Sequence, residues 1–158
     1  MIDDTDREIL RILQENGRIS NAEIARQVGM APSAIFQRIR RLEERGIIAG
    51  YSVRLNARVL GHGLVAFIMV QTGESARDYN TAALLAELPE VQEVHRVVGE
   101  DCFIVKARVQ DTDALASLLE HRIQAIPSIT STRTTIVVKT VKETSCVPLE
   151  QTLVADVV

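Results

Sequence analysis

Aromatic residues are scarce in this chain of 158 residues: they make up 3% of it, and tryptophan is absent. Its core must therefore be built from Ile, Leu, Val and Ala. The two cysteines, Cys102 and Cys146, are too few for a disulfide framework and fit no metal spacing. The longest apolar run, Leu64 to Val70, is far too short to span a membrane and suits a buried strand. The N-terminus, MIDDTDREIL, is acidic and has no apolar stretch like that of a signal peptide, so a cytoplasmic home and no membrane are expected. No phosphate-binding loop, dinucleotide fingerprint or Ser/His/Asp arrangement is present, and His62, His95 and His121 are scattered. Neither enzymatic activity, nor a metal, nor a cofactor is expected.

A strong positive charge is also missing, since the formal net charge is −3. Its distribution is informative. Residues 26 to 58 hold Arg26, Arg38, Arg40, Arg41, Arg45, Arg54 and Arg58 against Glu43 and Glu44, whereas from residue 61 onward acids outnumber bases. A basic first part joined to an acidic second part implies two jobs, with a polyanion contact belonging to the first.

What is present in residues 19 to 46 is a pair of short helices joined by a tight turn. A first helix is expected over about Asp4 to Asn16, capped by Asp3 or Asp4 and ended by a left-handed Gly17, with Ile9, Leu10, Ile12 and Leu13 as its apolar stripe. The second starts at Ser20 with a Ser20–Glu23 capping box, buries Ile24, Ala25 and Val28, and closes at Gly29. The third opens with Pro32 behind Ala31, a cap that can accept no bond. Ile35, Ile39 and Leu42 fall on one side of it, and Ser33, Ala34, Gln37, Arg40, Arg41 and Glu44 on the other. Phe36 is read as flank packing. This is the layout of a helix-turn-helix whose last helix lies in the major groove of double-stranded DNA. Ser33, Ala34 and Gln37 are the candidates for base edges, with Arg38, Arg40 and Arg41 as candidates for phosphates or guanine. An ordinary solvated basic helix is the bland alternative. Residues 47 to 53 read as a strand, either a wing or the start of a linker.

Residues 64 to 141 carry a twice-repeated strand-helix-strand pattern. Strands are expected at Leu64 to Gln71, Val91 to Val98, Cys102 to Val109 and Ile129 to Val141. Helices are expected at about Ala76 to Leu88 and about Asp113 to Ala125, the latter capped by Thr112 and burying Leu115, Leu118, Leu119 and Ile126. The sum is an α+β protein whose second part is a ferredoxin-like βαββαβ unit with helices on one face of an antiparallel sheet. The other face is left without helical cover, which predicts a homodimer. The domain bounds are 1–50 for the winged helix-turn-helix, 51–62 for a linker strand, 63–142 for the ferredoxin-like domain and 143–158 for a tail. The tail's Val147, Leu149, Leu153, Val154 and Val157 suit docking on a partner subunit or a loosely ordered end.

Together these residues resemble the Lrp/AsnC family, the feast/famine transcriptional regulators of bacteria and archaea. The marks are Asp3 to Leu13, Gly17-Arg18-Ile19-Ser20, Ile24-Ala25, Pro32-Ser33-Ala34, Arg38 to Glu43, Gly46-Ile47-Ile48, Gly50-Tyr51, Gly99-Glu100-Asp101, Thr132-Arg133-Thr134 and Ile136-Val137-Val138. The chain departs from the family at Ala31, where Ser is usual, and at Cys102, where many relatives carry Asp. The resemblance implies a winged helix-turn-helix followed by an effector-sensing RAM domain, dimers that assemble to tetramers or octamers, and an amino-acid effector bound between dimers. Carried onto this chain, its effector residues are Gly99, Glu100, Asp101, Cys102, Thr132 and Thr134. Two alternatives on the same scaffold are a sirohaem decarboxylase-like enzyme and an architectural DNA binder without effector.

Overall fold

The computed structural model describes residues 2–73 and 80–149. The chain divides into two compact units, Met1–Arg54 with Glu143–Val158, and Leu55–Lys142.

In the first unit, helix α1 (Asp4–Glu15) begins at a reciprocal box: Asp3 accepts from the Asp6 amide, and the Asp6 side chain accepts from the Asp3 amide. Gly17 follows the helix but is not in the left-handed region, contrary to expectation. A Cβ there would meet the Leu13 carbonyl at 3.7 Å and the Tyr51 ring at 3.9 Å, ordinary van der Waals contacts, so packing does not demand glycine at this position either. Helix α2 (Asn21–Val28) is capped by Ser20 and stopped by Gly29 at φ 74°. Only half of the expected Ser20–Glu23 box forms, since the Glu23 carboxylate turns to Arg26 and Gln27. Helix α3 (Pro32–Glu44) starts at an uncapped Ala31, as the sequence predicts. Ile9, Ile12, Ile24, Ala25, Ile35 and Ile39 form one apolar cluster. Burying each isoleucine fully contributes about 1.5–3 kcal/mol relative to exposure.

The strand expected over residues 47 to 53 does not form. Gly46 adopts φ 66°, and its amide bonds the Glu43 carbonyl while the Ile47 amide bonds that of Leu42. This left-handed helix stop spends the Ile47 amide on the end of α3, and Ile48 packs against the apolar cluster. Nor is the linker over residues 51–62 a strand. The Asn56 side chain accepts from the Val59 amide and opens a turn closed by His62 to Ala57. The tail, where described, returns to the first unit. The Gln14 amide group pairs with both backbone groups of Val147, at 2.7 and 3.1 Å, and Arg54 donates to the Glu143 carbonyl at 3.5 Å. The rest of the tail lies outside the described residues.

The second unit contains strands β1 (Leu64–Thr72), β2 (Val91–Arg96), β3 (Phe103–Val109) and β4 (Ile129–Ile136) in the order β2-β3-β1-β4, every pair antiparallel. Helices α4 (Asn80–Ala86) and α5 (Thr112–Ser117) complete the ferredoxin-like unit, and α5 widens into a π-helical segment, Leu118–Ile123. The expected start of α4 at Ala76 lies outside the described residues. Asp111, not Thr112, caps α5 by accepting from the Ala114 amide at 2.8 Å. Ala66, Ile68 and Val70 of β1 and Phe103, Val105, Ala107 and Val109 of β3 are buried together with Leu85, Leu115, Leu118, Ile123 and Ile126. The intervening residues Phe67, Met69 and Ile104 lie on the other face and are half-buried.

Candidate nucleic-acid interface and effector site

The outer surface of α3 follows from its apolar side. With Ile35, Ile39 and Leu42 turned inward, Ser33, Gln37 and Arg41 recur every four residues along one exposed ridge. None of these three side chains has a hydrogen-bond partner among the described residues. Ala34 beside them is half-buried. Arg40 is exposed and bonds Glu44 at 2.9 Å, one turn further on. The ridge thus offers a hydroxyl, an amide and a free guanidinium in order from the N-terminal end. A hydroxyl can bond any base, an amide pairs with adenine, and a guanidinium suits guanine or phosphate.

Arg38 departs from expectation. The sequence places it on phosphate or guanine, but its guanidinium points back to α1 and bonds Asp3 and Asp6, each at 2.7 Å. Two carboxylates at the N-terminal end of α1 claim a cation that sequence position alone would leave for DNA. They raise the Arg38 pKa further, and Arg38 in turn holds the Asp3 carboxyl below its usual range.

Phe36 is 54% exposed and stands at the rim of a hollow of about 410 Å³ that Leu13, Ile19, Ile39 and Tyr51 also line. Tyr51 donates to Glu43 at 2.9 Å. Burial, then this bond to a carboxylate, pushes the phenol up to about 12. On α2, the Arg26 guanidinium and then the Gln27 amide hold the Glu23 carboxyl at about 2.

The residues expected around an effector fall on two sides of the sheet in the second unit. Thr132 and Thr134 of β4 are opposite Val70 and Ile68, so they share the helix-covered face. Arg133 between them is opposite Met69 on the other face and bonds Asp101 at 2.9 Å. Sequence reasoning passed over Arg133, although alternation along β4 separates it from its two threonine neighbours. Gly99 has φ 146°, which favours glycine, in the turn between β2 and β3. Glu100 is exposed and Asp101 half-buried. Cys102 is half-buried against the core, and its amide bonds the Val70 carbonyl at 2.9 Å.

Among the described residues, no group of three or more His, Cys, Asp or Glu could hold a metal ion, and no helix is long and apolar enough to cross a membrane. His95 bonds Glu93, and His121 meets the Ser117 carbonyl.

Comparison with known proteins agrees with both halves. Residues 2–49 match the winged helix-turn-helix DNA-binding family, and residues 65–147 match the Lrp/AsnC ligand binding domain. The leucine-responsive regulatory protein of Escherichia coli strain K12 is 38% identical, covering 91% of this chain and 89% of its own length. A transcriptional regulator of Neisseria meningitidis, solved in complex with L-methionine, superimposes with a TM-score of 0.90 at 31% identity, over 95% of this chain and 98% of its own. The feast or famine regulatory protein of M. tuberculosis, also complexed with L-methionine, gives a TM-score of 0.84 at 35% identity, over 90% and 96%. The chain belongs to the Lrp/AsnC family of DNA-binding transcriptional regulators.

Proposed function

We propose that this regulator reads double-stranded DNA through Ser33, Ala34 and Gln37, with Arg40 and Arg41 on phosphates. The observation that carries the reading is the α3 ridge, whose Ser33, Gln37 and Arg41 are free of partners among the described residues. It acts by binding, in the cytoplasm, rather than by catalysis. A decarboxylase site would need basic and histidine side chains converging in a cavity, whereas His62, His95 and His121 are exposed and separate. The protein works as a homodimer that can assemble to a tetramer or octamer. Support comes from the sheet face that bears Phe67, Met69 and Ile104, on which no described helix of that unit packs. Two such heads on one duplex suit half-sites about 34 Å apart.

The effector is an amino acid or a related metabolite at the turn of Gly99, Glu100, Asp101 and Cys102 and the strand bearing Thr132 and Thr134. The two relatives solved with L-methionine support that class.

Selection from a random duplex library tests the DNA reading. The wild-type protein is expected to enrich one motif, and Gln37→Ala to shift its base preference. An identical motif from the variant would remove Gln37 from base reading. Thermal melting with each of the twenty amino acids tests the effector, because a ligand that binds only the native state must raise the melting temperature. No rise with any of them would leave an effector-independent DNA binder.

A further inference from the structure

The network that captures Arg38 is closed. Asp3 uses Oδ1 to accept the Asp6 amide at 2.7 Å and Oδ2 to accept Arg38 at 2.7 Å. Asp6 uses Oδ2 to accept the Asp3 amide at 3.3 Å and Oδ1 to accept Arg38 at 2.7 Å. All four carboxylate oxygens are therefore occupied, two by the first turn of α1 and two by one nitrogen, Nη1, from α3. The Asp6 side chain is 10% exposed and that of Arg38 23%, while Asp3 closes the network from the solvent side at 55%.

This matters because the rest of the α1–α3 contact is apolar. Ile9 and Ile12 share a cluster with Ile35 and Ile39. Apolar contact is non-directional and fixes the roll of a helix weakly. Charge-assisted hydrogen bonds are short and directional. Arg38 directly follows Gln37 and lies one turn from Arg41, so any roll of α3 about its axis moves the reading ridge and strains these bonds together.

We propose that Arg38 is a positioning residue for DNA reading. It touches no DNA, and through Asp3 and Asp6 it sets the pose in which α3 presents Ser33, Gln37 and Arg41. The proposal rests on the reading of α3 as the DNA-recognition helix.

The test uses the full-length protein and two probes, the duplex that wild type enriches from a random library and a scrambled duplex of the same composition. Three variants are compared: Arg38→Ala, the double variant Asp3→Asn with Asp6→Asn, and the combination. Asparagine keeps the shape and capping oxygen of each aspartate, so the start of α1 is preserved. Arg38→Lys serves as the conservative control, since an ammonium, like the single Nη1, has donors for both carboxylates but reaches them on a shorter stem. All are assayed well below their melting temperatures.

Positioning predicts that Arg38→Ala and the Asn pair each weaken the selected duplex by about tenfold, of the order of one lost base contact. Scrambled-duplex affinity and the salt slope stay at wild-type values, the combined variant is no worse than either parent, and Arg38→Lys recovers part of the loss. A phosphate contact predicts the opposite sign for the Asn pair, since an Arg38 released from its two carboxylates would be freer to meet a phosphate and would tighten binding to both probes. It also predicts that Arg38→Ala flattens the salt slope by about 0.9. That result overturns the proposal. So does unchanged discrimination in both variants, or a loss that merely tracks the unfolded fraction. A wild-type protein that binds neither duplex would instead sink the reading of α3 itself.

Discussion

Replacing Arg41 by alanine isolates one electrostatic contact. Arg41 is exposed on α3, its side chain has no partner among the described residues, and it lies in the last turn of the helix. The change therefore breaks no ion pair. Alanine is the best helix former, so propensity is not lost. What goes is a favourable cation at the helix end, about 0.3–1 kcal/mol of stability, and one charge for a phosphate. Each phosphate neutralised contributes about −0.9 to the slope of log affinity against log salt. Over a fourfold rise in salt the variant should thus lose about 3.5-fold less affinity than wild type for every protomer engaged on the duplex. The assay is fluorescence anisotropy with a labelled duplex at a series of salt concentrations. Arg40→Ala is the internal comparison, because Arg40 already bonds Glu44 and must leave it to reach DNA. A slope for Arg41→Ala equal to that of wild type would refute the phosphate assignment, whatever happens to the affinity at any single salt concentration.

Other expectations concern the scaffold. Asp111→Ala removes the cap of α5 and should lower stability in urea by about 1 kcal/mol, whereas Thr112→Ala should change it little; the reverse order would restore the cap to Thr112. Gln14→Ala removes the amide that pairs with both backbone groups of Val147, and hydrogen exchange at the Val147 amide should accelerate. Equal protection in both proteins would mean that the tail is held by something other than Gln14. The Glu93 carboxyl is held below its ordinary value of 4.5 by Lys106 first and His95 second. A depressed carboxylate contributes stability above its unfolded pKa and loses it as pH falls through the lowered folded value. Acid titration of urea unfolding should therefore show a shallower decline below about pH 4.5 in Glu93→Gln than in wild type; parallel curves would remove that contribution.

Much of this was legible because it depends on neighbours in the chain. Gly29 and Pro32 punctuate the helices through local backbone geometry, and the i, i+4, i+7 spacing of Ile35, Ile39 and Leu42 names the buried side of α3. The illegible features depend on partners far away. Arg38 read as a DNA contact because its two carboxylates lie 32 and 35 residues earlier. Val138 and Val141 read as strand, yet β4 stops at Ile136, paired with Ala66, and the last backbone bond to β1 beyond it runs from the Val137 amide to the Val65 carbonyl at 2.9 Å. Ile47 has strand propensity, but the left-handed turn at Gly46 had already committed its amide to the carbonyl of Leu42. In each case propensity described the residue correctly, and the geometry of a distant or preceding group decided its use.

The bond between Asp101 and Arg133 bears on what an effector there must carry. A free amine would have to pull Asp101 from Arg133 and return that exposed guanidinium to water, so one pair only replaces another. A simple carboxylic acid would strand Asp101, whose side chain is only 20% exposed. An amino acid supplies both charges at once: its ammonium can take Asp101 while its carboxylate takes Arg133, so one ion pair becomes two. Breaking the resident pair costs little, because Arg133 is 68% exposed and pairs of that kind contribute about 0–1 kcal/mol. Thr132 and Thr134 lie on the opposite face of β4 and cannot share that exchange directly. In the proposed function, then, the charge pair is the part of the site suited to a zwitterion, whichever amino acid carries it.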